Sequence, residues 1–166
     1  SYLITGYVGG SHYTHKGAAV DYLCMPENPD RNYHYKDGAS GHKGYVYGAE
    51  YEINEDDIGI GRSMHESDVP CAVCRTVGST SVLMIPGKTK CKQYWTKQYS
   101  GYLMAGYYGH VAASQYICVD KDAEKIPGSS ANKGGKLLYP VEARCGSLKC
   151  PPYKDGQELA CVVCSK

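Results

Sequence analysis

Phenylalanine is missing from this chain of 166 residues, and tryptophan occurs once, at Trp95. The 17 tyrosines therefore carry nearly all of its aromatic surface. A buried tyrosine needs a partner for its hydroxyl. So many exceed the needs of a small core, and several are expected outside, where they give amphipathic contact area at low entropic cost. No stretch approaches the ~18 apolar residues of a transmembrane helix. Neither sign of charge dominates: 18 Lys and Arg face 17 Asp and Glu, a net charge of +1. That balance removes the electrostatic case for nucleic acid and for a polybasic membrane anchor. There is no Asn-x-Ser/Thr sequon. The chain opens at Ser1 without a charged and then apolar leader, which implies that any signal peptide has been removed. Familiar catalytic motifs are missing too. Gly38-Ala39-Ser40-Gly41 is not a nucleophile elbow, and Gly59-Ile60-Gly61 lacks the third glycine of a dinucleotide loop. Neither a Walker loop nor His-Glu-x-x-His occurs. A binding protein without cofactor is expected rather than an enzyme.

What the chain does have is a cysteine frame that occurs twice. Tyr2-Leu3-Ile4-Thr5-Gly6-Tyr7-Val8-Gly9 returns one hundred positions later as Tyr102-Leu103-Met104-Ala105-Gly106-Tyr107-Tyr108-Gly109. Ala18-Ala19-x-x-Tyr22-x-Cys24 returns as Ala112-Ala113-x-x-Tyr116-x-Cys118, and Cys71-Ala72-Val73-Cys74 as Cys161-Val162-Val163-Cys164. An acidic residue recurs in Tyr47-x-x-Glu50 and Tyr139-x-x-Glu142. The same order over most of the chain implies a tandem duplication, with halves at 1–90 and 91–166 packed as one unit. Each half is small enough that a core alone supplies only a few kcal/mol, so staples are expected.

Nine cysteines can supply them. The two Cys-x-x-Cys pairs lie too far apart for a zinc ribbon, and their Ala-Val and Val-Val spacers suit buried strands better than a redox helix start. Structural disulfides, and with them an oxidising compartment, are the favoured reading. The repeat suggests Cys24 with Cys71 and Cys118 with Cys161 as matched bridges, and Cys145 with Cys150 as a local loop. Cys91 has no first-half counterpart and joins Cys74 or Cys164, leaving one thiol over.

Residues 45–53 alternate, with Tyr45, Tyr47, Ala49, Tyr51 and Ile53 on an inner face and Glu50 and Glu52 on an outer one, as in a half-buried strand. Residues 69–77, 82–85, 136–144 and 159–163 also read as strands, the run at 82–85 as a buried one; Pro140 interrupts its own. Residues 18–22 and 112–116 predict two short helices. The expected fold is mainly β with two short helices, disulfide-stapled, in two pseudo-symmetric tandem halves.

Long polar loops are the candidate functional surface. Measured from Gly6 to Ala18, the first half has about six residues more than the second has from Gly106 to Ala112. His12, Tyr13 and His15 fall there, and Tyr107, Tyr108 and His110 are the second-half counterparts. A solvated loop or a metal shared by His12 and His15 are alternative readings of this segment. Glu55-Asp56-Asp57 suggests Ca²⁺ only weakly, since no EF-hand pattern surrounds it. The segment around His34, Tyr35 and His42 is another polar loop. Trp95 reads as a stacking platform or as core.

Gly-Gly-Ser-His-Tyr-Thr-His at positions 9–15, Val69-Pro70-Cys71-Ala72-Val73-Cys74, Ser100-Gly101-Tyr102-Leu103-Met104-Ala105-Gly106-Tyr107 and Val141-Glu142-Ala143-Arg144-Cys145-Gly146-Ser147-Leu148 together resemble the cysteine-rich C-terminal domain of the short-chain, spongin-type collagen-like proteins of sponges. The resemblance covers nearly the whole chain, without the collagenous Gly-X-Y stretch and without that family's leading cysteine segment. A free-standing version is similar to the small sponge lectins. It implies a secreted, extracellular, multivalent carbohydrate-binding protein, with N-acetylated hexosamines among its glycan or glycoprotein partners and a homo-oligomeric state. The contacts would be His12, Tyr13, His15, Tyr107, Tyr108 and His110. The rival expectation is an extracellular-matrix assembly module that binds protein rather than sugar.

Overall fold

A computed structural model describes residues 1–30, 38, 41–54 and 58–166. The carboxylate run Glu55-Asp56-Asp57 and the loop residues His34 and Tyr35 lie outside the described residues. The described chain forms nine strands: β1 (Tyr2–Gly10), β2 (Leu23–Pro26), β3 (Tyr47–Tyr51), β4 (Pro70–Cys74), β5 (Val82–Pro86), β6 (Thr96–Ala105), β7 (Ile117–Asp120), β8 (Lys136–Pro140) and β9 (Ala160–Ser165). They join in one curled half-barrel sheet, ordered β2-β1-β3-β8-β6-β9-β5, with β4 also on β1 and β7 also on β6.

The pairings around β1 recur around β6. Antiparallel partners β2, β3 and β4 flank β1, and antiparallel partners β7, β8 and β9 flank β6. Gly6 lies opposite Pro26 and Cys71; Gly101 lies opposite Asp120 and Cys161. Val8 donates to the Val69 carbonyl at 2.9 Å, and Leu103 to that of Leu159 at 2.9 Å. The ladders thus equate Gly6 with Gly101 and Val8 with Leu103, not Gly6 with Gly106. In this register the turn after β1 is longer than the turn after β6 by a single residue, not six. Between the halves, β3 and β8 run parallel, with Ala49 beside Lys136.

The two expected short helices are not there. Among the described residues the sole helical turn is a 3₁₀ segment at Arg62–Met64. Five residues cannot repay the cost of helix nucleation on their own, and each segment finds better partners in the other half. Ala112 donates to the Tyr13 carbonyl at 3.2 Å, Gln115 to that of Val20 at 3.1 Å, and the Tyr22 hydroxyl to Ser114 at 3.3 Å.

One core spans both halves, with Val8, Ala49, Tyr51, Ile53, Val69, Met104, Val119 and Leu138 buried together. Leu103, Cys118 and Cys161 form a second cluster. The expected outward face of residues 45–53 is wrong: Glu50 and Glu52 are buried. The sheet curls so that β3 is covered on both faces, and a period of two then marks no solvent side. Residues 82–85 fail in the opposite sense. As the edge strand β5, they leave Val82 and Leu83 exposed. Pro140, which cannot donate to a ladder, closes β8.

The bridges are Cys24–Cys71, Cys118–Cys161, Cys145–Cys150 and Cys91–Cys164, and Cys74 is a free, exposed thiol. The first two span the same places in the two ladders, β2 to β4 and β7 to β9.

Candidate functional site

Each central strand ends in a tight turn. His15 donates to the His12 carbonyl at 3.0 Å, and His110 to the Tyr107 carbonyl at 3.1 Å. Beside each turn stands the tyrosine of the neighbouring strand: Tyr47 opposite Gly10, and Tyr139 opposite Ala105. The result is two aromatic clusters. In the first, the His12 ring lies 4.6 Å from Tyr13, 5.1 Å from His15 and 5.0 Å from Tyr47. In the second, Tyr107 lies 4.5 Å from Tyr108, 5.1 Å from His110 and 5.5 Å from Tyr139. Tyr13 and His110, with centroids 4.6 Å apart, join them. All six candidate binding residues therefore gather at one end of the sheet. Tyr47, which the alternation at 45–53 assigns to an inner face, and Tyr139 complete the clusters.

The two clusters differ in what covers them. Over the first lies the segment between β7 and β8. Glu50 accepts the backbone N–H of Lys133 at 2.9 Å and of Gly134 at 3.2 Å. Asp68 takes the Lys133 ammonium at 2.8 Å, and Tyr13 donates to the Gly135 carbonyl at 3.0 Å. Gly134 has φ +71° and sits so close that a Cβ there would meet the His12 ring at 3.5 Å. His12, Tyr13 and His15 are accordingly half-buried. His12 is further occupied by Thr14, whose hydroxyl lies 2.8 Å from Nδ1. Among the described residues, no three His, Cys, Asp or Glu side chains converge as a metal site would require.

Among the described residues, nothing comparable lies over Tyr107 and Tyr108 of the second cluster. Tyr108 is 93% exposed and Tyr107 42%. Together with His110, Tyr139 and Ser114 they line a groove of about 1070 Å³, which Glu52, Glu142, Glu158 and Arg144 line as well. Arg144 lies 4.0 Å from Glu142 and 3.4 Å from Asp155. Glu52 reaches the groove from the first half; burial raises its carboxyl above the usual range, although His65 at 3.8 Å works the other way. Tyr139 is pushed up to about 12, by burial first and by Glu52 second. Its hydroxyl therefore stays a neutral donor. Trp95 lies outside both clusters, in the turn before β6. The composition gave no signal for Lys136, a buried lysine set 4.9 Å from the Tyr22 ring centre beneath the site.

The fold and site define a disulfide-stapled β protein with a groove lined by aromatic and charged side chains. No family model matches the chain, and no solved structure matches it.

Burial lowers the imidazoles of His12 and His110, His12 also through its neighbour His15. Both then bind protons less readily folded than unfolded. Below the ordinary histidine value of 6.5 the unfolded chain takes up more protons, so stability falls as pH falls. Glu52 acts oppositely, but only nearer its own, lower range. The urea midpoint should therefore drop between about pH 7.5 and about pH 5.5, and drop less in the double variant His12→Asn/His110→Asn. An equal drop in both proteins contradicts this assignment.

Proposed function

We propose that this protein binds saccharides without transforming them, at the open groove of its second half. The observation that carries this reading is the exposed Tyr107 and Tyr108 ledge. Sugar rings present apolar C–H faces that stack on tyrosine, and His110, Glu142 and Arg144, which line the same groove, are donors and acceptors suited to hydroxyls. The reading extends to a secreted, lectin-like protein that favours N-acetylated hexosamines and assembles as a homo-oligomer. It is supported by four disulfides, the mark of an oxidising compartment. The described residues include no helix long and apolar enough to cross a membrane. We read the recurring pairings as a duplication whose second copy kept its surface open, and the sponge-domain resemblance agrees with that reading. A single site of this kind binds near millimolar, about −4 kcal/mol, and several sites in one assembly raise avidity by roughly 10²–10⁴.

The test is a glycan array, followed by agglutination of cells and its inhibition by free sugar. Tyr108→Ala should weaken saccharide binding about tenfold, since a stacked ring contributes on the order of 1 kcal/mol. The exposed position leaves folding intact. Absence of any retained glycan at high protein concentration sinks the reading. A matrix-assembly role is the second reading, favoured by one observation: the first cluster is filled by a peptide segment.

A further inference from the structure

The first half supplies a template for a ligand of the second. Glu50 and Asp68 face each other in an antiparallel bridge, and Glu142 and Glu158 face each other in another. The flanking hydrogen bonds correspond. Val69 donates to Ala49 at 3.0 Å and Tyr51 to Ser67 at 3.0 Å; Leu159 donates to Val141 at 2.9 Å and Ala143 to Gln157 at 2.9 Å. Glu142 and Glu158 thus stand where Glu50 and Asp68 stand, just as Tyr139 and Tyr107 replace Tyr47 and His12. The first pair of carboxylates grips a lysine and the glycine after it, through the Lys133 ammonium and the two backbone N–H groups. The glycine lies against the His12 and Tyr13 rings. The second pair lines the open groove. Among the described residues lining it, three carboxylates face a single guanidinium, which Asp155 also engages.

We propose that this groove is a lysine-binding cradle for an extended segment of another protein in which lysine is followed by glycine. The ammonium lies between Glu142 and Glu158, a Glu142 oxygen accepts the backbone N–H groups, and the glycine passes flat over Tyr107 and Tyr108. Glycine is selected by the backbone: Gly134 holds φ +71°, a left-handed conformation that other residues rarely adopt, and its contact with the His12 and Tyr13 rings is of ordinary van der Waals length. The carboxylate pair is the recognition element here, and the proposal goes beyond saccharide stacking on the tyrosine ledge.

The test titrates the intact protein with the capped peptide Asn-Lys-Gly-Gly, its Nε-acetyl-lysine form and its Asn-Lys-Ala-Ala form, by calorimetry and by amide chemical shifts. The lysine-glycine peptide should saturate one site and move the signals of Tyr107, Tyr139, Glu142 and Glu158. Acetylation, the alanine replacements, Glu142→Gln and Glu158→Gln should each weaken it by about tenfold or more, the loss of one charge-assisted contact or of the positive-φ backbone that glycine allows. No saturation up to ~10 mM, a range reaching well above millimolar Kd, overturns the proposal. So does an acetylated peptide that binds equally well, a comparison made on the unaltered protein. Peptide saturation with a blank glycan array supports the cradle and removes the saccharide reading; the reverse pattern does the opposite.

Discussion

Replacing Cys118 and Cys161 together by alanine should lower the free energy of unfolding by about 4 kcal/mol, whereas replacing Cys145 and Cys150 should cost about 2. The difference follows from loop length. Cys118–Cys161 closes a separation of 43 residues and Cys145–Cys150 one of 5. A longer closed loop removes more freedom from the unfolded chain. Packing adds to the larger loss. Cys161 and Cys118 are buried with Leu103 in the second core cluster, and removing both sulfurs leaves space that the neighbours fill only in part. Urea unfolding of the two double variants at one protein concentration checks this. Equal losses would show that these bridges act through something other than loop closure and burial.

Gly101→Ala should be at least as damaging, beyond the ~3 kcal/mol usual for an overpacked core. A Cβ on Gly101 would lie 1.8 Å from the Val119 carbonyl oxygen, and one on Gly6 would lie 1.8 Å from that of Met25. Both obstacles are backbone atoms of the paired strands β7 and β2, so no rotamer relieves the clash. The strands must part, and each carries a cysteine bridged across the central strand. The expected outcome for Gly101→Ala is loss of cooperative unfolding or failure to yield folded protein. Gly6→Ala should do the same in the first half. If either alanine variant keeps the parent's thermal midpoint, the close approach of these strands is wrong.

These two glycines explain how the sequence misleads about the register of its recurring strings. The strings Leu-x-x-Gly-Tyr around Gly6 and Gly106 match by eye, yet the ladder matches Gly6 with Gly101, because that is where a side chain is forbidden. Spacing read from the cysteines was reliable, since a disulfide ties together particular points of the ladder. The burial of Glu50 was not legible. Alternation assigns it to solvent, and only the segment around Lys133, 83 residues further on, supplies the partner that lets a carboxylate stay inside. The strand at 82–85 misled for the complementary reason, as four apolar residues in a row do not say whether both faces are covered. Six polar and aromatic loop residues stand out as candidates from the loops alone, and in the fold their rings do meet. That Tyr107 and Tyr108 stand open while His12, Tyr13 and His15 are covered depends on where the loop after β7 comes to rest, a long-range contact that no local pattern encodes.

The corresponding clusters have unequal access, an asymmetry in which the first is closed by its own chain and the second leaves Tyr107 and Tyr108 exposed. Its most direct test is a residue-resolved amide map of the protein titrated with an N-acetylated hexosamine disaccharide. The shifts should fall on Tyr107, Tyr108, His110 and Tyr139, with His12, Tyr13 and His15 unmoved. Equal shifts at both clusters, or shifts confined to the first, would contradict it.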